Sequence, residues 1–138
     1  MVNTELLRPI LRAAWGPDTC DPDDLAQWRP ENPARGQCGV TALLVQDLLG
    51  GELIFGEVLV DRVRVGGHYW NRLPDGRDVD LTAEQFRPDE VVTGGEVQRR
   101  PPSAPTRCRE QYGLLRSRVL AALAADAGGG GAVPAQPR

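Results

Sequence analysis

The sequence predicts a single α+β domain, in which helical and strand-forming segments occupy separate stretches of the chain. Up to Leu49, apolar side chains recur at helical spacing. Between Leu53 and Leu81 the pattern changes to short apolar runs flanked by polar residues, which is typical of strands. A helical pattern returns at Tyr112. Separate runs of helices and strands favour an α+β fold, and 138 residues suit one domain with a modest core.

Two helices are predicted before the strands. Residues 4–14 place apolar side chains on one helical face and end at a Gly-Pro turn. Residues 29–36 contain two prolines and one glycine and predict a loop. The second helix is predicted from Cys38 to Leu49, where Gly50-Gly51 ends it.

A hairpin is the best-defined part of the predicted sheet. Aromatic residues favour a strand over residues 68–73, and Pro74-Asp75-Gly76 is typical of a tight turn. The chain then returns through residues 77–81 as the partner strand. Thr82 and Gln85 have the spacing of a capping box, which predicts a short helix after the hairpin.

The C-terminal third is less regular. Residues 87–105 mix proline, glycine and short valine runs, and no element is predicted there. A helix is predicted from Tyr112. Residues 126–138 are mostly glycine, proline and alanine and predict a tail without structure, which limits the domain to residues 1–125.

Composition and charge exclude several classes of function. The formal net charge is −3, every basic residue is an arginine, and no basic stripe exists, so nucleic acid is not an expected partner. Apolar runs are too short to span a bilayer, and the N-terminus has no secretory pattern, so we expect a cytoplasmic protein without a membrane partner. Three cysteines do not form a disulfide framework.

Cys38 is the candidate nucleophile because it lies where a glycine-containing loop turns into a helix. Backbone N–H groups and the helix dipole at such a position favour the thiolate, and the N–H of Cys38 itself could stabilise an oxyanion. A nucleophilic cysteine also needs a base. His68 is the only histidine in the chain and therefore the only histidine that could serve.

The third candidate follows from the hairpin geometry. A three-residue loop at Pro74-Asp75-Gly76 pairs Arg72 with Asp78, and this register places His68 and Asp80 on the same face of the sheet. A two-residue loop would place them on opposite faces. In the first register Asp80 is close enough to accept the ring N–H of His68, whereas Asp78 lies nearer the turn and could pair with Arg72.

These residues carry a resemblance to a known family. Gly36-Gln37-Cys38, His68-x-Trp70 and Gly76-x-x-Val79-Asp80-x-Thr82 resemble the core of transglutaminase-like proteins in the papain-like superfamily. The longer stretch from Trp28 to Cys38, together with Asp47-x-x-Gly50-Gly51 and Tyr69-x-Asn71-Arg72, is similar to the small bacterial YunG-like family. The resemblance implies a papain-like core, in which the helix that bears the cysteine packs on a small antiparallel sheet.

The resemblance also implies roles for individual residues. Cys38 would be the nucleophile, His68 the base and Asp80 the residue that orients the base. The candidates for oxyanion or substrate binding are Gln37, Trp28 and Trp70. Two features depart from the wider superfamily: Gly39 replaces the aromatic residue that often follows the cysteine, and no glutamine lies several residues before Cys38.

The implied activity is that of a cysteine-dependent amide hydrolase or acyltransferase acting on a peptide or a small amide, with no cofactor and no metal. Peptidase, deamidase and transglutaminase-like activities share this machinery. The alternative is a binding or regulatory module of the same fold that has lost catalysis. A zinc site built from the three cysteines and His68 is disfavoured because no Cys-x-x-Cys pair exists. Cys20 lies among acidic residues that would raise its pKa, and Cys108 is expected on a core-facing side of the last helix.

Overall fold

The structure is a computed structural model that describes residues 2–100 and 107–131. These residues form three helices and a four-stranded antiparallel sheet, with the connecting segments. The α+β class predicted from the sequence is confirmed. The helices are α1 (Thr4–Ala14), α2 (Cys38–Leu49) and α3 (Arg109–Gly131), and the strands are β1 (Glu52–Val60), β2 (Val63–Arg72), β3 (Asp78–Val79) and β4 (Val91–Gln98). Two short 3₁₀ turns cover Pro22–Gln27 and Ala83–Gln85.

The sheet has the strand order β3-β2-β1-β4, and each neighbouring pair is antiparallel. Arg72 pairs with Asp78, which is the register expected for a three-residue loop. The Leu73 N–H donates to the Arg77 carbonyl at 2.8 Å and closes that loop. Gly76 has a φ of +91°, a backbone conformation that glycine adopts without strain.

The hydrophobic core lies mainly among the three helices. Its buried apolar side chains come from all three helices and from the segment after β3: Leu7, Leu11, Ala14, Val40, Leu44, Val45, Leu81, Leu115 and Val119 among others. Helix α2 also packs on β2, where the buried Asn71 amide donates to the Ala42 carbonyl at 2.9 Å. This contact satisfies a buried polar group and fixes the position of α2 on the sheet.

Strand β4 is an element that the sequence did not predict. Its Gly94-Gly95 pair favours a loop in the sequence, but the pair lies within the strand, near a register shift between β4 and β1. A Cβ atom at Gly95 would lie 3.0 Å from the Trp70 ring, and one at Gly56 would lie 2.9 Å from it. These glycines therefore make room for an indole that lies across the sheet. Residues 101–105 of the unassigned segment lie outside the described residues.

Helix α3 begins and ends differently from the prediction. It continues to Gly131, into the segment where the composition predicted a tail without structure, because the alanine-rich stretch after Leu120 has high helix propensity. Residues 132–138 lie outside the described residues. At the other end, Cys108 precedes the helix with a φ of +58° and is half-buried, instead of lying on a helical face. Within residues 2–100 and 107–131, no helix is long and apolar enough to cross a membrane.

Candidate active site

Cys38 begins α2 directly after a tight turn at Gly36. Gly36 has a φ of +76°, and a Cβ atom there would lie 2.4 Å from the Cys20 sulfur, so both the backbone and the packing require glycine. In the described part of the chain, no side chain caps the start of α2. The first helical bond runs from the Thr41 N–H to the Gln37 carbonyl at 3.0 Å. The partly exposed Cys38 thus lies at the positive end of an uncapped helix dipole.

His68 on β2 is held by Asp80, which follows β3. The distance between His68 Nε2 and Asp80 Oδ2 is 2.6 Å, and the imidazole is fully buried while the carboxyl is 26% exposed. The hydrogen bond implies that Nε2 carries a proton and donates it to the carboxylate. The other ring nitrogen, Nδ1, is buried and has no hydrogen-bond partner among the described residues. Nδ1 is therefore the atom left to interact with Cys38.

The charge state of His68 reflects two opposing effects. Burial is the largest single effect and lowers the pKa, but Asp80 and Cys38 together outweigh it, and the pKa of His68 rises from 6.5 to about 9. The Cys38 thiol is close enough to the imidazole to contribute to this increase, although the pair does not have the geometry of a completed hydrogen bond. Such contacts commonly tighten only when substrate binds.

Two aromatic rings fix the plane of the imidazole. Trp70 stacks on His68 with ring centroids 5.6 Å apart, and Phe86 meets the ring edge-on at 4.7 Å. The indole N–H of Trp70 donates to Asp78 at 3.0 Å, and Arg72 also pairs with Asp78. Asp78 therefore holds Trp70, whereas Asp80 holds His68. The role of Phe86 was not predicted, because nothing in its local sequence indicates a contact with β2.

A chain of hydrogen bonds links the carboxylate of Asp80 to the turn before Cys38. Asp80 Oδ1 accepts from the N–H and the hydroxyl of Thr82, at 3.2 and 3.3 Å. The buried amide of Gln85 donates to the Thr82 hydroxyl at 3.0 Å, and its oxygen accepts the Gly36 N–H at 3.3 Å. The sequence predicted Thr82 and Gln85 only as a capping box. They form no such cap and instead connect the two halves of the candidate site.

The structure does not place the Gln37 side chain beside Cys38, where the expected oxyanion role would need it. Gln37 is fully buried, and its amide bonds to the Thr19 hydroxyl at 2.8 Å and to the Gly16 carbonyl at 3.0 Å. These partners come from the loop after α1 and turn the side chain into the core. The indole N–H of Trp28 is also occupied, since it donates to the Pro33 carbonyl at 3.1 Å.

Trp70 does not offer a free N–H either, because Asp78 accepts it. Trp70 therefore contributes to the site through its stacking on His68, not through a bond to substrate. Within the described part of the chain, the backbone N–H groups at the start of α2 are the donors closest in sequence to Cys38 that no side chain caps. They could stabilise a negatively charged oxygen next to the thiol.

The other two cysteines have different surroundings. Burial, Asp24 and Asp21 raise the pKa of Cys20 to about 12, which agrees in direction with the sequence prediction. Burial and Asp21 also raise the pKa of Cys108. Among the described residues, no group of three histidine, cysteine, aspartate or glutamate side chains is arranged to hold a metal ion.

A cleft of about 750 Å³ opens beside Cys38. One part of its wall is apolar and comes from α2 and the sheet: Val40, Leu43, Leu53, Phe55, Val58 and Tyr69. Another part is charged and includes Arg35 and Glu90, whose almost fully buried ion pair has an N–O distance of 2.9 Å. A cleft of this size can enclose a small organic molecule or a few residues of a peptide.

The fold and the site together define an α+β protein with a cysteine, a buried histidine and an aspartate gathered where a helix begins beside an antiparallel sheet. The model of the family described as YunG protein matches residues 3–124. The chain therefore belongs to the YunG family. It is 35% identical over 83 residues to a Bacillus subtilis (strain 168) protein described as "Uncharacterized protein YunG". That alignment covers 60% of this chain and 63% of the relative, which is less than two thirds of its length. No solved structure matches.

Proposed function

We propose that the protein is a cysteine-dependent amide hydrolase or acyltransferase with a papain-like core. The observation that carries the proposal is the state of His68: the imidazole is fully buried, Nε2 lies 2.6 Å from Asp80, and Nδ1 has no hydrogen-bond partner within residues 2–100 and 107–131. Burying a polar atom without a hydrogen bond is costly and rare in folded proteins. A nitrogen kept free next to a thiol is the arrangement that proton transfer requires.

The proposed reaction starts with the transfer of the Cys38 proton to His68 Nδ1. The thiolate attacks the carbonyl carbon of the substrate, a C–S bond forms, and the backbone N–H groups at the start of α2 stabilise the oxyanion. His68 then returns the proton to the leaving amine as the C–N bond breaks, which leaves an acyl group on Cys38. Water or a second amine, activated by loss of a proton to His68, attacks the thioester and restores the thiol.

Asp80 supports this reaction without touching the substrate. Its carboxylate accepts the Nε2 proton, which leaves Nδ1 as the ring nitrogen that exchanges a proton with Cys38. The same carboxylate stabilises the positive charge that develops on the ring. The surrounding helices and sheet resemble a papain-like core in their order, since a helix that begins at the cysteine packs against the strand that bears the histidine.

The experiment that tests the proposal is the rate of Cys38 alkylation by iodoacetamide at pH 7, followed for each cysteine by peptide mass spectrometry. We expect Cys38 to react at least tenfold faster than Cys20 and Cys108, which serve as internal controls. In Asp80→Asn this advantage should disappear. The matched control is Asp78→Asn, which removes the neighbouring carboxylate that holds Trp70 and Arg72 but leaves the partner of His68 in place.

Two outcomes would contradict the proposal. If all three cysteines react alike in the folded protein, Cys38 is not activated and the alternative, a binding module of the same fold, becomes the better interpretation. If Asp78→Asn and Asp80→Asn reduce the rate equally, the effect comes from the sheet as a whole and not from the His68–Asp80 pair. A change confined to Asp80→Asn supports the proposed machinery.

A further inference from the structure

Gly39, the residue directly after the candidate nucleophile, has no structural reason to be glycine. It lies in the first turn of α2 and lines the cleft. Among the described residues, a Cβ atom at Gly39 would meet no heavy atom within 4 Å outside its own stretch of helix, and the φ of Gly39 is not in the left-handed region. Glycine destabilises a helix relative to alanine. The absent side chain therefore leaves open space next to Cys38 at a cost in helix stability.

This open space adjoins the apolar part of the cleft wall. Val40 and Leu43 continue the same helix, and Phe55 and Tyr69 contribute an aromatic pair on the sheet with ring centroids 4.8 Å apart. The aromatic pair depends on Gly67, where a Cβ atom would lie 2.4 Å from the Phe55 ring. Gly67 on the sheet thus makes room for the Phe55 ring, and Gly39 on the helix leaves open the space in front of the aromatic pair.

Several charged side chains that line the cleft form ion pairs with each other. Arg35 pairs with Glu90, and Arg107 pairs with Asp21 and Asp23, so these charges already have partners. An apolar group placed against the sheet side of the cleft would instead remove apolar surface from water, which is the main favourable contribution to binding in such clefts.

We infer that the substrate of Cys38 is an acyl compound with a bulky apolar acyl group, which Gly39 admits and the wall formed by Val40, Leu43, Phe55 and Tyr69 binds. The inference rests on the proposed function. The bulky group could be a straight aliphatic chain or the apolar side chain of a peptide, because both present the same apolar surface next to the reacting carbonyl. Gly39 acts in this proposal as the residue that sets specificity.

Acyl transfer to Cys38 from three p-nitrophenyl esters tests the inference: acetyl, octanoyl and N-acetylleucyl. The thiolate attacks the ester carbonyl, a C–S bond forms, and p-nitrophenolate leaves with the electron pair of the broken C–O bond. Absorbance measures the phenolate, and intact-protein mass measures the acyl group on Cys38. The rate of each ester with the protein is divided by its rate with free cysteine. We expect this ratio to be at least tenfold higher for one of the bulky esters than for the acetyl ester. The faster of the two bulky esters identifies the aliphatic or the peptide source.

A pair of leucine variants separates specificity from folding. Gly39→Leu fills the space beside Cys38, whereas Gly113→Leu adds the same side chain to an exposed position on α3 where a Cβ atom also meets no neighbour within 4 Å. Leucine should stabilise both helices, so urea unfolding will show that both variants are folded. We expect Gly39→Leu to lower the ratio of bulky to acetyl rates at least tenfold and Gly113→Leu to leave that ratio unchanged.

The possible failures are distinguishable. If the wild-type protein transfers no acyl group to Cys38 from any ester, the proposed function is overturned and the inference with it. If all three esters react at the rates set by their chemistry alone, or if Gly39→Leu lowers all three equally, only the inference about the apolar acyl group is overturned. Fast transfer of a bulky group that Gly39→Leu selectively removes supports both.

Discussion

Cys20 and Cys38 lie on either side of the same glycine turn but have opposite surroundings. Cys20 is 1% exposed, and its thiol donates to the carbonyls of Asp21 and Arg35 at 3.3 and 3.4 Å. Cys38 lies on the cleft, at a helix start and beside a buried imidazole. The two thiols therefore differ in the properties that control cysteine reactivity, although they are the same residue type and lie close together. Local charge and solvent access decide it.

The electrostatics of the two sites explain the contrast. Burial and two aspartates oppose ionisation of Cys20 and raise its pKa to about 12. Near Cys38, the neighbouring ionisable ring is His68, whose pKa of about 9 favours a positive charge at neutral pH. Gly36 packs against Cys20 and lies two residues before Cys38. Substitutions of Gly36 and of each cysteine therefore test whether the surroundings of the two cysteines differ as described.

Gly36→Ala should have the largest effect on stability. The new Cβ atom would lie 2.4 Å from the Cys20 sulfur and 2.9 Å from the Asp24 Cβ, at a φ of +76°. Together, overpacking and backbone strain should cost about 3 kcal/mol of unfolding free energy, measured by urea denaturation. Gly76→Ala is the matched control, because its φ is +91° but no atom lies within 4 Å, and it should cost about 1 kcal/mol. Equal losses in both variants would show that the turn is not closely packed against Cys20.

The next effect is the pH dependence of stability that His68 causes. Because the pKa of His68 is about 9 in the folded protein and near 6.5 without its partners, its contribution is complete below about pH 6.5 and is lost as the pH rises through 9. The contribution is about 3 kcal/mol, obtained from the size of the shift at 1.36 kcal/mol per unit. The measurement is the unfolding free energy of wild type and His68→Asn from pH 6 to pH 10.

The difference between these two proteins isolates the effect of His68 from that of the other ionisable groups. The wild-type free energy should fall relative to that of His68→Asn across this window. Parallel curves for the two proteins would contradict the raised pKa and weaken the contrast between Cys38 and Cys20.

Thr82→Val tests whether the hydrogen-bond chain positions Asp80. Valine keeps the shape of threonine but loses the hydroxyl that bonds to Asp80 Oδ1 and accepts from Gln85. We expect the alkylation rate of Cys38 to fall about tenfold, which corresponds to about 1.4 kcal/mol, with Cys20 and Cys108 unchanged. Thr82→Ser should restore most of the rate although it loses a buried methyl group. The control is Thr93→Val, whose hydroxyl makes only a long 3.5 Å bond to a carbonyl in the sheet.

If the alkylation rate of Cys38 falls in proportion to the loss of unfolding free energy, and Thr82→Ser reacts no faster than Thr82→Val, then Thr82 only supports the fold. In that case the ordering of Asp80 depends on the Thr82 backbone N–H alone. If the alkylation rate instead depends on whether residue 82 has a hydroxyl, Thr82 is a positioning residue that acts through Asp80 and His68.

Local sequence was enough to predict the hairpin that carries the histidine. The turn at Pro74-Asp75-Gly76 has strong conformational preferences, and it sets the register that brings His68 within 2.6 Å of Asp80. The bounds of α2 were also predictable, because glycine readily adopts the positive φ that interrupts a helix. Gly36, just before α2, and Gly50, just after it, both have a positive φ. These features depend on residues close together in the chain.

Features that depend on distant residues were not predictable from local patterns. Gln37 was expected near the substrate, but Thr19 and Gly16 bind its amide inside the core. In strand β4, Gly95 leaves room for the Trp70 ring that lies across the sheet, and a loop prediction cannot include that contact. The link from Gln85 to Gly36 joins positions 49 residues apart, so spacing alone gives no indication of it.

The smallest expected effects are those of removing each cysteine, which should change either the stability or the acylation of the protein but not both. Cys20→Ala should lower the unfolding free energy by about 1 kcal/mol, because a buried sulfur with two carbonyl contacts is lost. Acylation of Cys38 should be unchanged in this variant. Cys38→Ala should abolish acylation and, at pH 10, where the contribution of His68 is lost, should leave stability within about 0.5 kcal/mol of wild type, since the side chain is partly exposed. If Cys20→Ala also slows acylation, the two environments are coupled through Gly36 and the cysteines are not independent.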